Sequence, residues 1–459
     1  MLRNPVTRHV PALVVGGGIS GLVCAYALRK AGIDAQLVEA SSHSGGVIRS
    51  VTREGFLLEL GPQSFSGTAG LRELCVDLGI SNELLQAPPR APRYILVDGQ
   101  LRPAPLSPPA FFMSSMINGA TKWALLRDIF GKSNPLDNDE SVATFIRRKF
   151  TPQLLDRLVG PFVSGVYAGD PERLSLRSAF PQLHEAEKST GSIVRGMMRL
   201  AKSKNGTRER PALQTFREGN ETLVRALAKN LGPAQLTETK VREISHQSTG
   251  SFDLRLESRS GTESVSTKSL IFATPTDITG TLLSQLDSSF ETPLTSIEYV
   301  AVAVVSLGYR QQDVGHSLNG FGFLIPRSSG LRVLGTVWNS SLFPGRAPEG
   351  HALLTSFVGG ATDPAATKLK AEELAAIVHR EISPVLSLNS DPVFSNVTIW
   401  PRALPQYNLG HRDRLAAVAK SISRFPGLWL TGNYLQGPAI GSCVDLALQV
   451  AEQVRVTLR

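Results

Sequence analysis

The sequence predicts an α/β fold, with α and β mixed, in which the chain leaves its first domain and returns at its end to complete it. Three observations carry this. An apolar strand at 10–15, a helix at 19–31 closed by Gly32 and a second strand at 35–38 make a strand–helix–strand unit, hence a parallel sheet. A proline-rich stretch then opens a mostly helical middle third. From Thr237 the pattern turns to strands and ends on a short buried strand and a last helix.

The elements follow in order. Pro88, Pro89, Pro92, Pro103, Pro105, Pro108 and Pro109 bracket a short strand at 93–97 with a turn at Asp98-Gly99. Residues 111–130 and 141–162 read as two helices, the second with Ser141 as N-cap; a capping box would need Glu or Gln at Thr144. Arg195, Arg199, Lys202, Lys204, Arg208 and Arg210 suggest a mobile basic loop over 195–210. Strands are expected at 240–246, 252–258, 265–273, 299–307, 333–338, 352–358, 397–400 and 428–431, and helices at 370–381 and 444–456. The division expected is 1–90, 211–285 and 425–459 for the first domain, 91–103 and 286–424 for a mixed-sheet domain, and 104–210 for an inserted helical domain.

Composition narrows the function classes. The 459 residues allow two or three domains, and 42% apolar against 19% charged residues excludes wholesale disorder. The net +9 is spread along the chain, so no nucleic-acid partner is expected. Cys24, Cys75 and Cys443 form no CxxC, which excludes a disulfide framework and suggests a reducing compartment. Histidines never form HxH or HExxH, and His184-Glu185 is followed by Lys188, so no metal site is expected. Arg3, Arg8 and His9 resemble a transit peptide in composition only. Residues 12–28 are apolar but short and glycine-broken, so no transmembrane helix is expected.

Gly16-Gly17-Gly18-Ile19-Ser20-Gly21 satisfies GxGxxG between strand and helix, the setting of a Rossmann-like pyrophosphate site. Gly16 allows the tight turn, Gly18 the approach of a phosphate, and Gly21 close helix packing. Glu39, followed by Ala40, ends the second strand where a carboxylate accepts ribose hydroxyls and repels a 2′-phosphate; this disfavours NADP and leaves FAD or NAD. Gly45-Gly46, Arg49 and Gly61-Pro62-Gln63-Ser64 continue in the manner of flavin amine-oxidase-like enzymes, where such segments lie along the pyrophosphate and near the isoalloxazine. Ala273 closes a strand, and Gly432-Asn433 with Pro438-Ala439-Ile440 offers backbone N–H groups at the start of the last helix.

With these residues, GGVIRS at 45–50, PRYILVDGQL at 92–101, SGVYAGDPERLS at 164–175, GFGFLIP at 320–326, LGTVWNSSLFPGRAP at 334–348, TSFVGG at 355–360 and GNYLQGPAIGSC at 432–443 make the chain resemble the oxygen-dependent, FAD-containing protoporphyrinogen oxidases. The resemblance runs from about Val10 to the last helix. It implies a discontinuous FAD-binding domain, a mixed-sheet substrate domain and a helical domain at a membrane surface. It also implies six-electron oxidation of a porphyrinogen with O2 reduced to H2O2. Arg93 falls where the family faces a substrate propionate, and Leu324, Val337 and Phe357 fall where it sandwiches the macrocycle. Val337 replaces a Leu of some relatives, Gln63, a further substrate-binding candidate that the resemblance implies, stands where plant relatives have Asn, and Ala447 stands where the family often has Gly. Val241 and Trp400 are carried over as cofactor-lining positions. Cys443, in Ile-Gly-Ser-Cys, does not match a covalent flavin site, so noncovalent FAD is expected.

No nucleophile–base pair or carboxylate pair emerges, which suits hydride transfer from a carbon that needs orientation and dryness. Phe112, Met116, Trp123, Leu126 and Phe130, with Lys122 and Arg127 nearby, recur at helical spacing as a membrane-interface stripe or a helical core. The expected location is cytoplasmic, on the inner face of a bacterial membrane, with a homodimer suggested by family analogy. Coproporphyrinogen III oxidation, an amine oxidase or desaturase, and a flavin-binding sensor stay open as alternatives; Trp400 and Tyr434 could be misread as the aromatic pair that lines the ring in amine oxidases.

Overall fold

The computed structural model describes residues 8–105, 107–131, 136, 138–203 and 213–459. Two large mixed sheets organise the chain. The first has seven strands, with Gln235–Leu236, Ala35–Val38, Arg8–Val15, Gly261–Phe272, Phe252–Ser258 and Lys240–His246 side by side, and Leu428–Leu430 added to Gly261–Phe272. Arg8–Val15 runs parallel to both neighbours, Val15 standing opposite Val38 on one side and Phe272 on the other. Its residues alternate between two cores: Ala12 and Val14 pack with the helices Ile19–Lys30 and Ile440–Thr457, Leu13 and Val15 with residues from the opposite layer such as Phe290 and Val418. A strand buried on both faces is a continuous apolar run, which is how the sequence reads.

The second sheet also has seven strands, in the order Phe394–Pro405, Tyr299–Arg310, His351–Gly359, Val333–Trp338, Gly322–Leu324, Arg93–Val97 and Gln100–Pro103. Helix Ala371–Leu386 covers one face through Leu374, Val378 and Ile382. Residues 93–103 thus enter this sheet far from the rest of it in sequence.

The middle third is helical, with three corrections. The helix expected at 111–130 is two, Pro108–Met113 and Gly119–Phe130. The Asn118 side chain accepts the Thr121 N–H at 2.9 Å and starts the second afresh, a competition between local cap and helix that the apolar period hides. The helix expected at 141–162 breaks after Val142–Lys149, because Pro152 lacks an N–H and biases its predecessor away from helical angles. It resumes at Thr151, whose hydroxyl accepts from Leu154 N, and continues through Gly160–Tyr167. Ser141 caps the first as expected, accepting from Thr144 N at 3.1 Å.

The third correction is the basic loop. Ile193–Ser203 is helical, and Gly196 lies so close to Ala186 of helix Pro181–Thr190 that no Cβ would fit. Arg195 donates to the carbonyls of Gly131 and Thr190, both at 2.8 Å, where two helices end. Lys204, Arg208 and Arg210, like Arg3, lie outside the described residues.

Several elements run beyond their expected bounds. The strand expected at 397–400 spans Phe394–Pro405, tolerating Pro401 because it pairs only with Tyr299–Arg310 and its register shifts there. The hairpin Ser50–Arg53/Phe56–Glu59 and the helix Glu221–Leu231 were not anticipated. The hairpin turns on Glu54-Gly55, both at positive φ, without the Asn-Gly or Asp-Gly pair that usually announces one.

Candidate functional site

The glycine motif lies at the carboxyl ends of the parallel strands, where open α/β sheets bind ligands. Gly16, at φ +107°, places its Cα against the Ala273 backbone, and a Cβ on Gly21 would collide with the Gly16 carbonyl oxygen. By contrast, a Cβ on Gly18 would meet nothing within 4 Å, and one on Gly46 only the Gly18 Cα at 3.7 Å. Gly45 N donates to Gly17 O at 2.8 Å, so the two glycine segments lie side by side. Helix Ile19–Lys30 begins here with no side-chain cap. Ile19 is half-buried and Ser20 buried, so the helix start presents backbone to this space. An open, uncapped, glycine-walled helix terminus fits a dinucleotide pyrophosphate.

Glu39 stands beside this cradle. Its Oε2 accepts the Gly17 N–H at 2.6 Å, and its Oε1 accepts the N–H and hydroxyl of Ser41 at 2.8 and 2.7 Å. These bonds fix the carboxylate and leave it lone pairs for further donors, the requirement for a ribose diol. Ala40 is exposed next to it. Val241 lies near, because Thr239 N and Glu39 N make main-chain bonds to Glu39 O and Leu236 O that hold 236–239 against the acidic residue.

The last strand delivers a second loop to the same edge. Ala273 N donates to Val15 O and Thr431 N to Phe272 O, so Ala273 and Gly432 are brought together with Gly16. Gly432 is at φ +151° and Gly437 at φ +124°. Between them run Asn433 and Tyr434, and then Pro438 and Ala439 lead into helix Ile440–Thr457, also without a side-chain cap. Cys443, in its first turn, is buried, and burial pushes its thiol up to about 11. Tyr434 is fully buried beneath the sheet while Trp400 is half-buried elsewhere, and no ring contact joins them among the described residues. The aromatic pair of an amine oxidase is therefore not formed by these two.

A buried polar network holds the 59–63 segment between the sheets. Glu59 pairs with Arg346 at 3.2 Å and accepts from Ser50 Oγ at 2.7 Å and Asn220 N at 2.9 Å. Arg346 also donates to Thr215 Oγ1 and Phe216 O. Burial raises the Glu59 carboxyl and lowers the Arg346 guanidinium from their ordinary values, and their mutual attraction opposes both shifts. Leu60 O accepts the Trp400 indole N–H at 2.6 Å, Leu60 N donates to Arg49 O, and Pro62 O accepts from Asn220 Nδ2. Gln63 is held at both ends of its amide: its Nε2 donates to Glu59 O and Gly61 O, and its Oε1 accepts from Asn339 Nδ2 at 2.7 Å. It acts as a brace in this network; Ser64 beside it is half-buried.

The second sheet gathers the four remaining residues. Arg93 pairs with Gly322, which pairs with Val337; Leu324 pairs with Gly335, which pairs with Phe357. With the two-residue period of strands, Arg93, Leu324, Val337 and Phe357 all fall on one face. Leu324, Val337 and Phe357 are half-buried, whereas their neighbours Phe323, Trp338 and Val358 are buried on the helix-covered side. Leu324 leans into a notch, since a Cβ on Gly165 or Gly335 would come within 2.6 or 2.9 Å of its Cδ2. Helix Gly160–Tyr167 therefore roofs this face. Arg93 is exposed at its rim, its guanidinium 5.4 Å from the Phe321 ring centroid. An apolar face with a cation at its edge suits a flat, largely apolar molecule that carries a carboxylate.

The apolar stripe divides. Met116 is buried and Phe112 half-buried, while Trp123, Leu126 and Phe130 are exposed, as are Met113, Phe162, Met197 and Met198. No helix among the described residues is long and apolar enough to cross a membrane.

Comparison with known proteins shows the family and the fold. Residues 19–455 match the family of flavin containing amine oxidoreductases. A chloroplastic protoporphyrinogen oxidase of Arabidopsis thaliana is 36% identical over 479 residues, covering 98% of this chain and 88% of that protein. A coproporphyrinogen III oxidase of Bacillus subtilis is 30% identical, covering 95% and 96%. A solved Exiguobacterium structure superposes with a TM-score of 0.80 at 23% identity, over 99% of this chain and all of that one, which shows a shared fold.

Proposed function

Since the chain belongs to the flavin-containing amine oxidoreductase family and is thereby an FAD-dependent oxidoreductase, we propose that it oxidises protoporphyrinogen IX to protoporphyrin IX in heme biosynthesis, with three O2 reduced to three H2O2. The observation that carries this is the single face holding Arg93, Leu324, Val337 and Phe357. The resemblance to the chloroplastic protoporphyrinogen oxidases supports it. In the domain division that goes with this reading, 1–90, 211–285 and 425–459 bind FAD, 91–103 and 286–424 bind substrate, and 104–210 is the helical domain.

Gly16 to Gly21, Gly45 and Gly46 hold the pyrophosphate, with Glu39 on the ribose. Arg49, the segment 61–64, Val241, Ala273, Trp400, Gly432, Asn433 and residues 438–440 line the rest of the cofactor site. Bound FAD supplies the hydride acceptor and returns the electrons to O2. The chain's own contribution is placement. Arg93 takes one propionate by charge-assisted hydrogen bonds, and Phe357, Leu324 and Val337 fix the plane of the ring and exclude water around the reacting carbon. No side chain need act as a strong base, because the pyrrole nitrogens can release their own protons once a meso carbon has lost hydride.

Coproporphyrinogen III is the second reading, favoured by the Bacillus relative. It carries four carboxylates, and Arg93 is the one cation among the four face residues, which favours the dicarboxylate substrate. The exposed Trp123, Leu126 and Phe130 support the reading that the helical domain meets the inner face of a membrane. The purified yellow holoenzyme should be assayed with both porphyrinogens by porphyrin fluorescence. A higher kcat/KM for protoporphyrinogen supports the first reading, the reverse order supports the second, and no porphyrin from either overturns both.

A further inference from the structure

Three parts of the chain meet at residues 405–411. Strand Phe394–Pro405 of the second sheet ends there. The segment just beyond is tied to the helical region: Tyr407 O accepts from Ser175 N at 2.8 Å, Leu409 N donates to Arg173 O at 2.9 Å, and the Gln406 side chain donates through Nε2 to Tyr167 O at 2.9 Å. The Tyr407 and His411 side chains point the other way, into the loop between Gly432 and the last helix. The Tyr407 hydroxyl donates to Asn433 O at 2.5 Å and accepts the Gly437 N–H at 2.7 Å. The His411 ring stacks on the Tyr407 ring, with centroids 4.4 Å apart and planes 10° from parallel, and its Nε2 lies 2.8 Å from Tyr434 O. A carbonyl oxygen only accepts, so Nε2 carries the hydrogen and the ring is held as that tautomer. Both side chains are 2% exposed.

The loop itself is irregular. It enters and leaves through positive-φ glycines, Gly432 and Gly437, and runs into a helix with no side-chain cap. A chain with that freedom points its N–H groups in one direction only if it is fixed from outside. Three of its backbone groups, at 433, 434 and 437, are fixed by these two residues.

We infer that Tyr407 and His411 are positioning residues for the flavin, acting through the 433–437 loop rather than by touching cofactor or substrate. This rests on the reading that the loop contacts bound FAD. Neither residue belongs to the glycine motif or to the substrate face, and both lie on the connection out of the substrate sheet. The elements that shape the two halves of the site thus meet at one stacked pair.

The test is the retention of FAD by the holoenzyme on dilution, read by recovery of flavin fluorescence, together with the visible flavin spectrum and thermal unfolding. Tyr407→Phe keeps the ring and the stack and removes two hydrogen bonds, so FAD binding is expected to weaken about tenfold, with a shifted flavin band. His411→Leu should weaken it in the same direction, and His411→Gln, whose amide can still donate to Tyr434 O, should restore most of the affinity. Tyr407→Phe and His411→Leu variants that unfold earlier yet hold FAD with unchanged affinity and spectrum would reduce the pair to a structural role and overturn the inference. Should Tyr407→Phe fail to fold, the His411→Leu and His411→Gln pair decides alone, equal FAD affinity in the two overturning it. A wild-type protein that binds no FAD fails at the earlier step and overturns both this inference and the cofactor reading beneath it.

Discussion

The two halves of the site are built by opposite means. The dinucleotide cradle is made mostly of backbone and glycine at 16–21 and 45–46, with the Glu39 carboxylate beside it; Gly16 and Gly21 stand where a Cβ cannot go, and Gly18 and Gly46 leave the space open. The substrate face is made of side chains from four strands, Arg93–Val97, Gly322–Leu324, Val333–Trp338 and His351–Gly359, and exists only because their registers align. A cradle of the first kind is common among Rossmann-like folds. A face of the second kind can be changed one side chain at a time without touching the cofactor. On the proposed function, cofactor binding general to the family rests on the glycines, and substrate choice on the sheet.

That contrast can be broken first at the joint. Arg346→Met removes one partner of the buried pair with Glu59 and leaves a carboxylate without its counter-ion, an expected loss of about 3–5 kcal/mol in urea unfolding. An unchanged midpoint would show that the halves are not held together there. A separate lever on stability is acid. Burial lowers the His411 pKa to about 4 from an ordinary 6.5, with Arg414 lowering it further and the Tyr434 carbonyl and Asp139 acting against. The neutral ring is thus preferred in the folded state, and its stabilisation is present above pH 6.5 and lost as pH falls through 4. About 3 kcal/mol should disappear over that window, and His411→Gln should flatten the profile.

Gly21→Ala acts on the cradle alone. The new methyl collides with the Gly16 carbonyl, so about 1–3 kcal/mol and most of the bound flavin should be lost, read by absorbance of the purified protein. Arg93→Ala acts on the face alone, and FAD content should stay full. Its kcat/KM for protoporphyrinogen should fall about tenfold, about 1.4 kcal/mol, chiefly through KM. Loss of flavin in the second variant, or a normal flavin with altered KM in the first, would erase the distinction.

What could be read in advance follows the same line. The cradle was legible because its residues fall within about thirty positions of one strand–helix–strand unit, and the GxGxxG spacing marks the turn, the phosphate approach and the helix packing. The face was nameable only through resemblance, since nothing local in Leu324 or Phe357 says that they share a side of one sheet. Glu59 and Arg346 stand 287 residues apart, so their pairing leaves no trace in either segment. The helices expected at 111–130 and 141–162 broke where Asn118 and Pro152 overrule an apolar period. The basic stretch from 195 was misread because counting charges hid the apolar side of the same turns, where Ile193 is buried and Gly196 meets Ala186.

The most direct measurement is the ratio of hydrogen peroxide released to porphyrin formed when the holoenzyme turns over protoporphyrinogen in air. Three peroxides per porphyrin is the expected result, since six electrons leave the ring in three two-electron steps. Porphyrin formed by the holoenzyme no faster than in enzyme-free air, or with no peroxide beyond that background, would contradict the account.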